Sequence, residues 1–480
     1  MTSIFALILS FAVAILCVPG MVLDSDVLVP EMMFRDMFVS HTSMSGWNFC
    51  SALFLFPDTI FYFLIRAFSS NLSVVFLIYG ALQLWLVYWI FRIIRPAQSL
   101  LLFFVWTLLW IAIFPREWTV LLWPVFHGGS MLSGVFFALW YIRKPVLESW
   151  VTAALIVFGA IALASDFFFG VQTLLPLGIL SLYAWKRKDQ PGRYLLKQIG
   201  LGLLLVLISF GFSKTLYTLM QTKPLNFTYI HPQFHWAKVL SISQYLLSYK
   251  LSFVIFVIAF WRAWKTRREY PIYSWMMLSL SCNVTFVLVA DIWFDKLNVR
   301  YFLCFSLFVG LILANEVVTL LTSNKMVWRS WGWGIAIFFA LCAVPAGYGY
   351  VNDWPAQSIF QQPRPAEVAC FDQWQAQYGL QDGVADYWLA KTIPLLSQTH
   401  PNLMQMRDEP KEFKWLNNSR WYDGIQKRQY FLYDVRDGRP NRQMVFKKWG
   451  DPAKKDICGA FELWIYDKNV LEELEHDPDS

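Results

Sequence analysis

The chain has 480 residues, of which 57% are hydrophobic and 15% charged, against about 45–50% apolar and about 25% charged in soluble domains. That balance excludes an ordinary soluble enzyme and a disordered chain, and it predicts a polytopic membrane protein. The formal net charge of +7 is carried in short basic clusters between apolar runs, the pattern of membrane loops, so nucleic acid is excluded as a partner.

Residues 4–22 form the first apolar run. No Lys or Arg precedes it, no Ala-x-Ala cleavage site follows, and Leu16 before Cys17 is too large for a lipoprotein cleavage position, which predicts a retained first span. Asp24 and Asp26 follow at once, in the run Leu23 to Val27. Carboxylates at the mouth of a bilayer are costly and mark a functional site. The bland alternative is a polar stop at the end of the helix, although the helix dipole disfavours acids there.

The next stretch, residues 31–38, places Met33, Phe34, Met37 and Phe38 on one helical stripe and Glu31 and Arg35 four residues apart on another. This predicts a helix lying in the membrane interface, with Glu31 as a candidate substrate-binding acid. Residues 52–66 are apolar enough to span, but Pro57 and Asp58 interrupt them. A second interfacial or re-entrant helix is expected, with Asp58 near its start as an N-cap or as a substrate-binding acid.

Apolar stretches of spanning length continue at residues 72–92, 99–115, 119–142, 149–165, 170–185, 196–215, 244–262, 272–290, 301–321 and 331–350, giving about eleven spans in all. Basic clusters fall in every second loop: Arg92 and Arg95, Arg143 and Lys144, Lys186 to Lys188 with Arg193, Arg262 to Arg268, and Lys325 with Arg329. The positive-inside rule then puts the N-terminus in the cytoplasm and everything after about residue 351 outside the inner (plasma) membrane. Asp24, Asp26, Glu31, Asp36, Asp58, Glu117, Asp166, Asp291 and Asp295 all fall on the external side of this thread.

Within the spans, His127 precedes Gly128 and Gly129 in the outer half of the segment 119–142; it reads either as a packing residue or as a substrate contact beside a close helix approach. Asp166 ends the segment 149–165, as a second acid or as a helix-terminal charge in water. Arg300, opening Arg300-Tyr301-Phe302, reads as a phosphate ligand or as an anchor snorkelling to headgroups. His231 and His235 lie in the loop of residues 216–243, where the intervening Pro232 argues against a metal pair.

From residue 351 the chain turns polar and rich in Trp and Tyr, which predicts a small external α/β domain over 351–480 beside a membrane domain over 1–350 whose first external loop is 23–71. Cys370 and Cys458 are the cysteines of this tail, and on the oxidising side a disulfide between them is expected, with two free thiols as the alternative. Cys17, Cys282, Cys304 and Cys342 lie in apolar runs and read as small hydrophobes. No CxxC spacing suggests zinc.

An acidic pair after the first span, two interfacial helices and a many-span bundle resemble the integral-membrane glycosyltransferases of the GT-C superfamily, such as protein mannosyltransferases and aminoarabinose transferases. The texts around Asp26 to Asp36, Gly46-Trp47, Phe56 to Asp58 and Ala385 to Trp388 look like uncharacterised bacterial relatives of that group. The resemblance implies an all-α membrane domain that uses a polyprenyl-phosphate-linked sugar as donor and a glycan, lipid or protein as acceptor. It implies a first-loop acid as catalytic base, Asp24 or Asp26, with Asp26 preferred as the farther from the span's end. It further implies Asp166 assisting or binding a divalent metal (Mg or Mn), and Arg300 on the phosphate. The rival readings are a transporter or lipid flippase, which calls for mid-membrane charges and paired broken helices, and a non-catalytic assembly or sensor protein.

Overall fold

In hydrocarbon every backbone N–H and C=O must find its partner within the protein, which leaves the helix as the form available to a single apolar segment. The computed structural model of the chain follows this rule. It describes residues 2–18, 23, 25–49, 54–113, 121–125, 127–143, 150–188, 192–220, 236, 240–241, 244, 250–268, 270–289, 303–352, 361–407, 412–422, 429–436 and 442–467. They divide into two compact units, one of residues 1–20, 51–215 and 226–358, the other of residues 21–50, 216–225 and 359–480.

The first unit is a helical membrane bundle. Six helical stretches are long and apolar enough to cross a bilayer: Leu72–Ile94, Pro96–Ile113, Leu195–Thr218, Pro271–Val289, Cys304–Leu321 and Met326–Gly349. Thr2–Cys17, Gly128–Ile142 and Ala153–Ser165 are apolar but shorter. Six spanning lengths among the described residues stand against the expected eleven or so, and the segment expected over 119–142 shows one cause. Its helix begins only at Gly128, because Pro124 lacks a backbone donor and His127 takes a left-handed backbone with φ of 68°. Residues 54–66 do not span: a π-turn over Leu55–Thr59 leads into the seven-residue helix Ile60–Arg66, roughly 10 Å long.

Aromatic layers hold the bundle together. Phe103 stacks on Trp106 at 6.2 Å and Trp106 on Trp110 at 5.7 Å, all buried. The helix Leu303–Leu321 approaches this stack at Gly310, where a Cβ would come within 2.7 Å of Trp106 Nε1. At one end Arg95 donates to Asn315 Oδ1 at 2.9 Å, and the Asn315 amide donates to Tyr273 at 2.8 Å, so these three side chains are linked in one chain of hydrogen bonds. The windows of Leu195–Thr218 and Met326–Gly349 are only 17% and 11% buried, which suits helices that lie against hydrocarbon.

The second unit is α/β. Its sheet runs in the order β3 (Leu403–Met406), β2 (Gly383–Asp386), β5 (Tyr430–Asp434), β7 (Phe461–Ile465), β6 (Lys454–Cys458). The β2 strand is parallel to β3 and β5, and β7 is antiparallel to β5 and β6. Alternation along the strands builds two cores. Ala385 and Leu432 pack with Phe371 and Trp374 of helix Ala366–Tyr378, while Val384 and Phe431 pack with Trp449 of helix Arg442–Trp449. A disulfide joins Cys370 to Cys458, tying the first of these helices to β6.

Residues 21–50, which the sequence division places in the membrane domain, cluster with this α/β unit. The helix Val29–Phe38 carries Pro30 in its first turn, and it packs against helix Leu389–Leu396. The short strand β1 (Trp47–Asn48) pairs antiparallel with β4 (Asn417–Asn418), across some 370 residues of chain. No local periodicity in either segment announces that pairing, since each strand is two residues long.

Candidate functional site

The π-turn at 55–59 delivers Asp58 into the membrane bundle, where it is 1% exposed. A lone carboxylate there needs donors, and three converge on it. Tyr79 of helix Leu72–Ile94 donates its hydroxyl to Oδ1, Gln83 one turn further on donates from Nε2 at 3.3 Å, and the backbone N–H of Gly129 donates from the third side. The Gln83 amide also donates to the Tyr79 hydroxyl. Positions 79 and 83 share one face by the i, i+4 rule. Gly129 is required: a Cβ at that position would fall 2.1 Å from Asp58 Oδ1 and 2.7 Å from Pro57 Cγ.

The second carboxylate arrives from the end of helix Trp150–Ser165. Asp166, 2% exposed, accepts from the Phe168 N–H through Oδ1 at 2.9 Å, and its Oδ2 lies 2.7 Å from His127 Nδ1. The imidazole sits against the rings of Phe54 at 5.1 Å and Phe168 at 4.9 Å. Ser165, the preceding residue, accepts from the Phe56 N–H at 2.7 Å and so fastens the Asp58 turn to the same helix end.

One short segment therefore serves both acids. His127 pairs with Asp166, Gly129 donates to Asp58, and between them the helix Gly128–Arg143 begins, with the positive end of its dipole. Loss of hydration pushes the Asp58 carboxyl up to about 7, against the lowering pull of the Tyr79 hydroxyl and with the charge of Asp166 raising it further. Near neutral pH such a group can take up and release a proton. Gln83 Oε1 and Ser130 Oγ are buried with no hydrogen-bond partner among the described residues. Both lie on the residues that line Asp58 or adjoin them, and buried polar atoms left unpaired call for a ligand or water.

The sequence singled out Asp58, His127 and Asp166 separately, and the structure brings them together. Tyr79 and Gln83 were missed, although a Tyr and a Gln at i, i+4 inside an apolar helix are a readable signal. Asp166, expected as an assistant acid or metal ligand, has protein partners on both oxygens. Among the described residues no group of three His, Cys, Asp or Glu is arranged to hold a metal ion.

Of the other expected residues, those that the structure describes belong to the α/β unit. Asp26, half-buried in the α/β unit, accepts from the Tyr387 hydroxyl, while the neighbouring Ser25 hydroxyl donates to the Tyr387 carbonyl. Glu31, 1% exposed, forms a 3.4 Å ion pair with Arg35 on its own helix. Asp36, 3% exposed, accepts from the indoles of Trp47 at 2.8 Å and Trp421 at 2.9 Å and from the Asn418 amide at 2.8 Å; burial raises its pKa against these three bonds. This carboxylate holds β1 to the segment of β4. Asp24, Arg300, His231 and His235 lie outside the described residues. In the tail, Asp386 caps the helix that follows it, accepting from the N–H groups of Trp388 at 2.9 Å and Leu389 at 3.2 Å.

No family model matches the chain, and no curated protein matches it. Among solved structures it is similar to ArnT from Cupriavidus metallidurans in the apo state, with 13% identity, 98% of each chain covered and a TM-score of 0.54. That likeness shows a shared fold over nearly the whole length. The chain has an ArnT-like fold, made of a helical membrane bundle and an α/β unit.

Proposed function

We propose that this protein is a membrane glycosyltransferase that moves a sugar from a polyprenyl-phosphate-linked donor to an acceptor hydroxyl or amine at the external face of the inner membrane. One observation carries the reading: Asp58 is a buried carboxylate poised at about 7, inside a bundle whose fold is similar to that of ArnT. Fold alone does not give function; the site supplies the chemistry.

The reaction is one displacement with inversion. Asp58 removes the proton from the acceptor O–H or N–H as that atom attacks the anomeric carbon. The bond from the anomeric carbon to the phosphate oxygen breaks, and polyprenyl phosphate leaves with the electron pair. Tyr79, Gln83 and Gly129 hold the carboxylate in place, and as the proton arrives Gln83 Oε1 offers an acceptor beside it. A guanidinium for the departing phosphate is proposed at Arg300. A divalent metal would supply further charge stabilisation at the phosphate if one binds; the described side chains carry the proton step by themselves. The α/β unit, on this reading external, would select the acceptor.

Asp26 is a second proposal for the base, favoured by its place directly after the first apolar segment and by the Tyr387 hydroxyl that orients it. The two are separated by reconstituting the full chain in liposomes with polyprenyl-phosphate-linked hexoses and pentoses and measuring the polyprenyl phosphate released. Asp58→Asn is expected to lose about 10²- to 10⁴-fold while Asp26→Asn stays within several-fold of the unaltered chain. The reverse pattern moves the base to Asp26, and no release from any donor by the unaltered chain removes the transferase reading.

A further inference from the structure

Helix Arg442–Trp449 lies over one face of the sheet, with Val445 and Trp449 packed in a core with Phe431 and Trp464. Beside that core, a cavity of about 450 Å³ opens between the helix and strands β6 and β7, within the size range of small-molecule sites, about 300–1,000 Å³. Arg442, Gln443 and Phe446 line it from the helix, where spacings of three and four residues put them on one face. Opposite stand two cross-strand pairs, Lys455 with Trp464 and Ile457 with Glu462. Phe446 is 44% exposed and Ile457 66%. Two large apolar side chains thus stand open in a groove.

The charged groups around them are already held. Arg442 pairs with Glu462 at 2.8 Å, the Trp464 indole donates to the other Glu462 oxygen at 3.2 Å, and the Lys455 ammonium lies 4.7 Å from the centre of the Trp464 ring. Asp456 accepts from the Tyr378 hydroxyl at 2.6 Å and from the Ile457 N–H at 2.8 Å. The two cations and two carboxylates that line the groove cancel, so it holds little attraction for a phosphate or an acidic chain. An added peptide strand is disfavoured too. The Ile457 N–H on edge strand β6 is taken by Asp456, and Lys454 and Lys455 lie along that edge. What the groove offers is fixed donors and acceptors around an apolar centre, and Arg442 Nε is a further buried donor with no acceptor among the described residues.

We infer that this groove is a binding site for an uncharged saccharide. A pyranose has the matching surface, with C–H faces that pack on apolar and aromatic side chains and a rim of hydroxyls that both donate and accept. Phe446 and Ile457 take the C–H face, and Arg442, Gln443 and Glu462 take the hydroxyls. The site lies wholly in the α/β unit, and Asp58 and its partners belong to the other. Its use for an acceptor glycan rests on the transferase reading; saccharide binding itself does not.

The test reads binding alone. The full chain in lipid nanodiscs is passed over surfaces that carry neutral tetrasaccharides of glucose, galactose, mannose or N-acetylglucosamine. At least one is expected to bind, with a Kd that changes less than about 2-fold between about 0.05 M and about 0.5 M salt. Phe446→Ala and Ile457→Ala are each expected to weaken it by about 5-fold or more. Met444→Ala, exposed on the same helix but not lining the groove, is expected to leave it unchanged. Hydrogen exchange on the unaltered chain gives a reading free of any folding defect: the bound sugar is expected to slow exchange in residues 442–446 and 455–464. Failure of every tetrasaccharide to bind overturns the inference, as does binding that both alanine variants retain or protection that falls elsewhere. Binding that collapses in high salt marks an anionic ligand and overturns it as well. Sugar bound at the groove of a chain that releases no polyprenyl phosphate sinks the transferase reading alone; sugar transfer without binding at the groove sinks this inference alone.

Discussion

Asp58 owes its raised pKa to the same burial that makes it costly. Its pKa in the folded protein, about 7, lies above the ordinary value of 3.8, so the folded state binds a proton that the unfolded chain has already lost. The stability this confers is complete below about pH 4 and declines as pH rises through 7. Asp58→Asn has no such proton to lose. Its apparent Tm relative to the unaltered chain is therefore expected to climb between about pH 5 and about pH 8, read by thermal scanning in detergent, and a constant difference across that range contradicts the assignment. Gly129 gives a second residue-scale expectation. Gly129→Ala forces a Cβ to within 2.1 Å of Asp58 Oδ1, which costs about 1–3 kcal/mol or displaces the carboxylate. Sugar transfer should fall well below that of Gly178→Ala, a position with nothing within 4 Å of the added atom. Equal activity in the two variants would mean that the Asp58 pocket is looser than the structure has it. Asp58, His127 and Asp166 were each legible as acids or a histidine in an apolar setting; what sequence could not show is that a π-turn and a left-handed residue would bring them to one helix start.

At the scale of elements, the apolar segments announced their helices, because in hydrocarbon the backbone has no other economical form. Interruptions were legible only where proline marks them, as at Pro57. The start of helix Gly128–Arg143 depends on the left-handed backbone of His127 as well as on Pro124, and that backbone is not revealed by composition. The β1 and β4 pair was illegible for a different reason: Trp47 opposite Asn418 is a long-range match of two-residue strands, fixed by side chains rather than by periodicity. Asp36 is the fixing group, and Asp36→Ala strips the acceptor from two indoles and an amide. The expected cost is about 2–4 kcal/mol, seen as faster proteolysis between residues 39 and 46 with the membrane helices intact; unchanged protection would mean that the pairing holds without the carboxylate. The disulfide closes a loop with a sequence separation of 88, and Cys370→Ser with Cys458→Ser is expected to cost between about 2 and about 5 kcal/mol, visible as a lower urea midpoint that reductant reproduces in the unaltered chain.

For the whole molecule, the division into a helical bundle and an α/β unit follows from composition, which changes near residue 351. The finer assignment of residues 21–50 does not, because their partners are more than 300 residues away: Ser25 with Tyr387 and Asp36 with Asn418. This moves Asp26 and Asp58, which read as one loop in sequence, into different units. The likeness to ArnT extends over both units, 98% of each chain, so the fold is shared along nearly the whole length. With the proton step proposed at Asp58, the most direct measurement is the pH–rate profile of sugar transfer from a polyprenyl-phosphate donor by the reconstituted full chain. The account predicts a rate that rises with pH through an apparent pKa of about 7 and a loss of at least about 100-fold in Asp58→Asn at every pH. A profile flat across that range, or full transfer by Asp58→Asn, would contradict it.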